Sequence, residues 1–248
     1  SQETNLGNMI CDAMLWNSAT ENTQICLLNS GSIRASIPAG DVSMGQVLEV
    51  LPFGNQIATF GLKGSDVRAA LEHGVSGYED QSGAFPQVGG MRYTFDPNQP
   101  AGSRITSVAV KNAEGGYSPI DPDTVYKMAS NEYLRAGGDG YDLFVTNAID
   151  PYDGGALLSD TAAEYIGANS PVSPATEGRI ATAEAGLPVS GGESLEGYLA
   201  GFVVLLGAPL IVVGLYLRQG LHGSVPAQGP GAKRQRWAQA SSHRSNSP

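Results

Sequence analysis

Histidine and cysteine are scarce in this chain: three histidines and two cysteines stand among 248 residues. His73 falls on a predicted amphipathic helix, and His222 and His243 fall in the C-terminal tail. They make no cluster with carboxylates at metal-ligand spacing, so the sequence supports no zinc-type site. No Ser-His-Asp or Cys-His set stands out, and no glycine-rich loop runs into Lys-Ser or Lys-Thr as a P-loop would. Cys11, on the apolar face of the first helix, and Cys26, in an apolar strand run, read as free buried thiols. An extracellular location would permit a Cys11–Cys26 disulfide, whose geometry sequence does not show. No repeat of solenoid period is present, and no signal peptide is visible.

Basic residues are also few, 14 Lys and Arg against 24 Asp and Glu, for a formal net charge of −10. The division is uneven. All 24 acids precede Tyr198 with nine of the bases, and the remaining five bases, Arg218, Lys233, Arg234, Arg236 and Arg244, follow it. So acidic a body excludes nucleic-acid polymers as partners, because a phosphate backbone requires a basic face. It leaves room for a single nucleotide held by one local arginine.

Between the acidic body and the basic tail, residues 198–217 carry no charge. Their length matches the roughly 20 apolar residues of a transmembrane helix. Pro209 is tolerated in such a helix, and Tyr198 and Tyr216 sit where aromatics favour the interface. The positive-inside rule keeps the tail, 218–248, cytoplasmic and the body outside. From Gly220 on, the Gly, Pro, Ser and Gln content reads as disordered. The segment before the span, 183–197, reads as a linker that contains Leu-Pro-Val-Ser-Gly at 187–191. That run resembles a Gram-positive cell-wall sorting signal, with Ser190 for the usual Thr and a longer tail than such signals need. Sorting through a sortase and a plain linker to a retained helix both stay open, so the expected location is the cell membrane or cell wall. A lipid anchor fits less well, since its apolar tail normally ends the chain.

What is abundant is glycine, and its densest use is at 131–141, reading N-E-Y-L-R-A-G-G-D-G-Y. Gly137, Gly138 and Gly140 permit positive φ and close approach. Asp139 between them offers a carboxylate for ligand hydroxyls, and Tyr133 offers a flat stacking face. Taken alone, Gly-Gly-Asp-Gly also reads as an ordinary turn. A second segment, N-S-G-S-I-R-A-S-I at 29–37, follows a buried strand run and puts forward Arg34, whose planar fork suits phosphate or carboxylate. A third, L-P-F-G-N at 51–55, places Phe53 beside Pro52 and Gly54, where it is either a ligand contact or a core residue at an element boundary.

In this order and spacing the three segments resemble the C-terminal domain of the 5'-nucleotidase family, which includes UDP-sugar hydrolases and cyclic-nucleotide phosphodiesterases. The resemblance spans about 3–180. It takes in E-T-N-L-G-N-M-I-C-D-A-M at 3–14, L-K-G-S-D-V-R-A-A-L-E-H at 62–73, F-P-Q-V-G-G-M at 85–91 and E-G-R-I at 177–180. It implies that Phe53 and Tyr133 sandwich a nucleobase, Asn29 hydrogen-bonds the base, Asp139 binds the ribose hydroxyls and Arg34 reaches the phosphate. Gly31 would leave room for the ligand beside Arg34, and Gly137 and Gly138 would let the loop fold over the sugar. Two positions depart from the family pattern. Gln2 stands where the family carries a second phosphate-binding arginine, and Ser-Gly-Ser at 30–32 replaces a glycine-richer loop.

The resemblance also implies that chemistry belongs to a separate N-terminal metallophosphatase domain with two divalent metals of Zn or Mn type. No cofactor is expected within this chain, which should bind substrate without hydrolysing it. The competing expectation is a surface module that binds nucleosides or partners without catalysis. The expected fold is α+β with a mixed sheet, as a domain over 1–182. Its helices are placed near 5–18, 44–50, 65–75 and 159–168, and its strands at 25–28, 57–62, 91–95, 105–110 and 125–129.

Overall fold

A computed structural model describes residues 1–183. The strand β1 (Ile25–Asn29) is buried along its whole length. Side chains of a strand alternate between faces. Ile25 and Leu27 accordingly enter one core, with Phe60, Leu71, Phe85 and Tyr93, while Cys26 and Leu28 enter a second, with Ile10, Met14 and Val47. A strand buried on both faces reads as an unbroken apolar run, which is what Ile-Cys-Leu-Leu is.

The remaining elements are α1 (Asn5–Asn17), α2 (Met44–Val50), β2 (Ile57–Lys63), α3 (Gly64–Val75), β3 (Pro86–Gly89), β4 (Met91–Phe95), β5 (Ile105–Lys111), β6 (Tyr117–Pro119), β7 (Val125–Asn131), α4 (Glu132–Arg135), α5 (Asp142–Thr146), β8 (Ile149–Tyr152), α6 (Leu158–Asn169) and β9 (Ile180–Thr182). Five strands form one sheet in the order β3-β1-β7-β2-β8, and four form a second in the order β6-β5-β4-β9. The larger sheet is mixed: β1 runs parallel to β7 and antiparallel to β3, and β2 runs antiparallel to β7 and β8.

Local chemistry explains the helix starts. The Thr4 hydroxyl accepts from Gly7 N–H at 3.0 Å to cap α1, and Ser43 with Gln46 makes a capping box at α2. One ion-pair network ties the last described strand to the first helix. The buried Arg179 guanidinium donates to both carboxylate oxygens of Asp12 at 2.8 Å and to Glu177 at 2.9–3.0 Å.

The nine expected elements are present with ends shifted by no more than two residues. Four strands and two short helices go beyond them. β3 begins on a proline and ends on a glycine at the sheet edge, and β8 is exposed at every residue, so neither carries an apolar alternation. The structure leaves both thiols free and buried, with Cys26 Sγ 3.6 Å from Met14 Sδ. Burial pushes the Cys26 thiol up. Among the described residues no helix is long and apolar enough to cross a membrane. The expected span at 198–217, the 187–191 segment and the tail 218–248 lie outside the described residues.

Candidate functional site

Three connections leave the same end of the large sheet, and backbone hydrogen bonds draw them together. After β1 the chain makes a single tight turn, Ser30–Ser32, whose Ser30 and Gly31 N–H groups donate at 2.8 Å to the carbonyls of Phe85 and Gly83. Arg34 N–H donates to Val50 O at 2.8 Å, which fastens this loop to the end of α2 and hence to Phe53. After β7 the chain turns directly into α4. Glu132 N–H donates to Gln56 O at 2.9 Å and the Glu132 carboxylate accepts from Gln56 N–H at 3.3 Å.

The result is a cleft of about 560 Å³ lined by Asn29, Gly31, Ser32, Arg34, Phe53, Asn55, Gly83, Tyr133 and Asp139. All six residues singled out from the sequence line it: Asn29, Gly31, Arg34, Phe53, Tyr133 and Asp139. Phe53 is 59% exposed and Tyr133 44% exposed, unusual for aromatic rings with a core available to them. Arg34 is exposed, and its Nη1 donates to Gly31 O at 3.3 Å.

The geometry adds to three expectations. Asp139 does not offer a free carboxylate: its Oδ2 accepts from Asn29 Nδ2 and its Oδ1 from the Tyr133 hydroxyl, each at 2.7 Å. Each oxygen keeps room for one further donor. A Cβ at Gly31 would lie 3.2 Å from the backbone of Gly83, so the contact between two chain segments also restricts this position. At Gly138 a Cβ would lie 2.5 Å from the Tyr133 ring, so this glycine admits the tyrosine rather than a sugar.

Asp139 itself is left-handed, at φ 53°, between Gly137 at 89° and Gly140 at 81°. The loop is held from beneath by His73, whose Nε2 lies 2.8 Å from Asp139 O and whose ring packs edge-on against Tyr141. Tyr141 in turn donates to Ala84 O at 2.7 Å. The Tyr133 phenol is raised above its ordinary value, chiefly by the hydrogen bond to Asp139.

Sequence reasoning gave no role to Ser32, Asn131 or His73. Asn131 is wholly buried and its Oδ1 accepts from Leu134 N–H at 2.8 Å, capping α4. An asparagine between a strand run and Glu-Tyr-Leu-Arg is the available signal for that cap. Nothing in the composition of α3 marks His73 as a support. Among the described residues no three His, Cys, Asp or Glu side chains are grouped to hold a metal, so this part of the chain does not fit the two-metal site.

Comparison with known proteins agrees with the fold and the motifs. Residues 1–146 match the family described as the 5'-nucleotidase, C-terminal domain. The trifunctional nucleotide phosphoesterase of Bacillus subtilis is 41% identical over 182 residues, covering 73% of this chain and 12% of that protein. The 5'-nucleotidase of Diplobatis ommata is 34% identical over 225 residues, covering 82% of this chain and 38% of that protein. The crystal structure of the 5'-nucleotidase precursor from Thermus thermophilus superimposes with a TM-score of 0.72 at 42% identity, over 75% of this chain and 36% of that one. This chain therefore spans well under two thirds of each of these relatives. From the match over residues 1–146, the mixed five-stranded sheet and these likenesses, the chain belongs to the 5'-nucleotidase C-terminal domain family.

Proposed function

We propose that this domain recognises the nucleotide for a 5'-nucleotidase-type phosphoester hydrolase, in nucleotide breakdown, while a separate metallophosphatase domain supplies the metal chemistry. The observation that carries this reading is the convergence of two exposed rings, Phe53 and Tyr133, on one cleft with Asp139 and Arg34. A nucleobase enters between the rings, and stacking contributes about 1–3 kcal/mol per base, as in single-strand binders. That term tolerates any base. Asp139 accepts ribose hydroxyls at the remaining acceptor site of each oxygen, and Arg34 meets the phosphate from the rim. Asn29 has one Nδ2 hydrogen left for the base, since its other goes to Asp139 and its Oδ1 already accepts two donors.

The domain's own contribution is binding and orientation. Fixing a substrate at a set position relative to a reacting centre removes much of the entropic part of a barrier. No step of bond cleavage is assigned to residues of this domain.

The anchor belongs to the same proposal. Twenty uncharged residues at 198–217, followed by five bases and no acid, support a membrane-held protein with this domain outside. Leu187–Gly191 supports cell-wall attachment as its variant, and mass spectrometry of the mature protein for a cut within 187–191 separates the two.

The test of recognition is calorimetric titration of the full chain with adenosine 5'-monophosphate and with adenosine. Saturable binding is expected, lost in Phe53→Ala and Tyr133→Ala. Unchanged affinity in both variants, or no binding up to millimolar ligand, rejects the sandwich. Turnover of nucleotide by this chain with Zn or Mn supplied would reject the division of labour.

A further inference from the structure

Asn29 is the only described side chain that links the β1 loop to Asp139, and which end of its amide faces Asp139 decides whether the pair attracts or repels. Amide nitrogen and oxygen are similar in shape, so the orientation must follow from the network around them. Here the network has unambiguous ends. Leu134 N–H can only donate, so Asn131 must present Oδ1 to it, at 2.8 Å. The Asn131 Nδ2 is then left facing Asn29 Oδ1 at 3.0 Å and Ser32 Oγ at 3.0 Å. Ser32 Oγ, accepting from Asn131, gives its own proton to Asn29 Oδ1 at 2.5 Å. With two donors on its oxygen, Asn29 must turn Nδ2 toward the Asp139 carboxylate, an acceptor, at 2.7 Å. Leu134 N–H, Asn131, Asn29 and Asp139 thus form a single relay of fixed polarity.

All three supporting groups are out of solvent: Asn29 and Ser32 are 3% exposed and Asn131 not at all. With so little solvent access a lost partner is poorly replaced by water, and a reversed Asn29 amide would place Oδ1 against a carboxylate. The relay also starts at the cap of α4, the helix that carries Tyr133. The same asparagine therefore sets the position of the Tyr133 ring and the orientation of the group that holds Asp139.

We propose that Asn131 is a positioning residue of the cleft which, jointly with Ser32, locks the Asn29 amide with its NH2 toward Asp139 and so holds that carboxylate ready for ligand hydroxyls. The statement about hydroxyls rests on the nucleoside reading above; the amide orientation does not.

Two donors on one oxygen make a redundant lock, so removing either alone leaves the orientation set. The test uses Ser32→Ala, Asn131→Ser and the double variant in the full chain; serine at 131 retains an acceptor for the α4 cap. The first readout is the NMR coupling across the hydrogen bond between Asn29 15Nδ2 and Asp139 13Cγ. It is expected in the parent and in both single variants, and absent in the double. The second readout is adenosine affinity. Each single variant is expected to lower it by less than about threefold and the double by more than about tenfold, a coupling typical of contacting residues.

Absence of the coupling in the parent, its survival in the double variant, or strictly additive losses of affinity would overturn the proposal. If the double variant does not fold, the parent decides through the companion coupling between Asn131 15Nδ2 and Asn29 13Cγ, whose absence overturns the relay. A parent that shows both couplings but binds no adenosine leaves the relay standing and rejects the nucleoside reading instead.

Discussion

The Tyr133 hydroxyl donates to Oδ1 of Asp139 at 2.7 Å, and the backbone N–H of Asp139 donates back to that hydroxyl at 3.2 Å. The ring is thereby tied at its far end to the loop that follows it, six residues on, and closes over Gly138 between them. The proposed stacking face and the proposed sugar ligand are one mechanical unit.

Replacing Tyr133 by Phe separates the two roles. The ring remains for stacking, but Asp139 Oδ1 loses its donor and Asp139 N–H its acceptor. A lost hydrogen bond of this kind costs about 0.5–1.5 kcal/mol. Adenosine affinity measured by calorimetry is expected to fall by about twofold to tenfold on that scale, with adenine affinity unchanged. An equal loss for both ligands would mean that the hydroxyl holds the ring and not the carboxylate.

The same bond sets a direction of pH dependence. The hydrogen bond to Asp139 raises the Tyr133 phenol above its ordinary value of about 10. A group raised on folding stabilises the folded state fully below its unfolded value, and that contribution is lost as pH rises through the folded value. Ultraviolet or NMR titration of the phenol should therefore show Tyr133 ionising later than an ordinary tyrosine. Asp139→Asn should bring its ionisation back toward the ordinary range. An unshifted Tyr133 in the parent would contradict the geometry.

How far the cleft could be read from sequence differs between its parts. Local pattern put forward Tyr133, Asp139, Arg34 and Phe53, the family resemblance supplied the roles and added Asn29 and Gly31, and the structure gathers all six around one cleft. The reasons attached to the glycines were less legible. That Gly31 meets Gly83 is a fact of packing between segments, and that Gly138 meets Tyr133 depends on how the loop folds back over its own ring; no apolar pattern encodes either. The supports were hidden for the same reason. His73 touches the loop through a backbone carbonyl 66 positions away, and any residue at 139 would present that carbonyl. The larger sheet was legible in the apolar runs of β1 and β2, and illegible at its edges, where β3 and β8 are short and lack apolar alternation.

Gly138→Ala tests the packing beneath the ring. The added Cβ would lie 2.5–2.6 Å from three carbons of the Tyr133 ring, too close for any real contact, so the ring must leave its seat. Because the ring is already 44% exposed, little core packing is lost when it swings out. The two hydrogen bonds between Tyr133 and Asp139 go with the ring, so thermal stability is expected to fall by about 0.5–1.5 kcal/mol, the scale of a lost hydrogen bond. Nucleoside affinity is expected to fall about as far as in Tyr133→Ala. Gly137→Ala should show the opposite balance, since φ of 89° there strains any side chain and no ring is displaced. Similar affinities for Gly138→Ala and the parent would show that the ring's seat does not set the cleft.

Arg34→Ala tests the rim, and its outcome depends on what the ligand carries. The guanidinium is exposed, so its attraction to phosphate is screened by salt and is small for each charge. Adenosine has no phosphate to meet it. The parent is therefore expected to bind adenosine 5'-monophosphate more tightly than adenosine at low ionic strength, with the preference shrinking as salt rises. In Arg34→Ala the two affinities should converge at every salt concentration while that of adenosine stays at the parent value. Arg34→Lys keeps the charge but not the planar fork, and should retain the salt dependence while losing part of the preference. If the alanine variant weakens both ligands alike, Arg34 acts through its bond to Gly31 O as a brace of the loop, and the phosphate must be held by other groups.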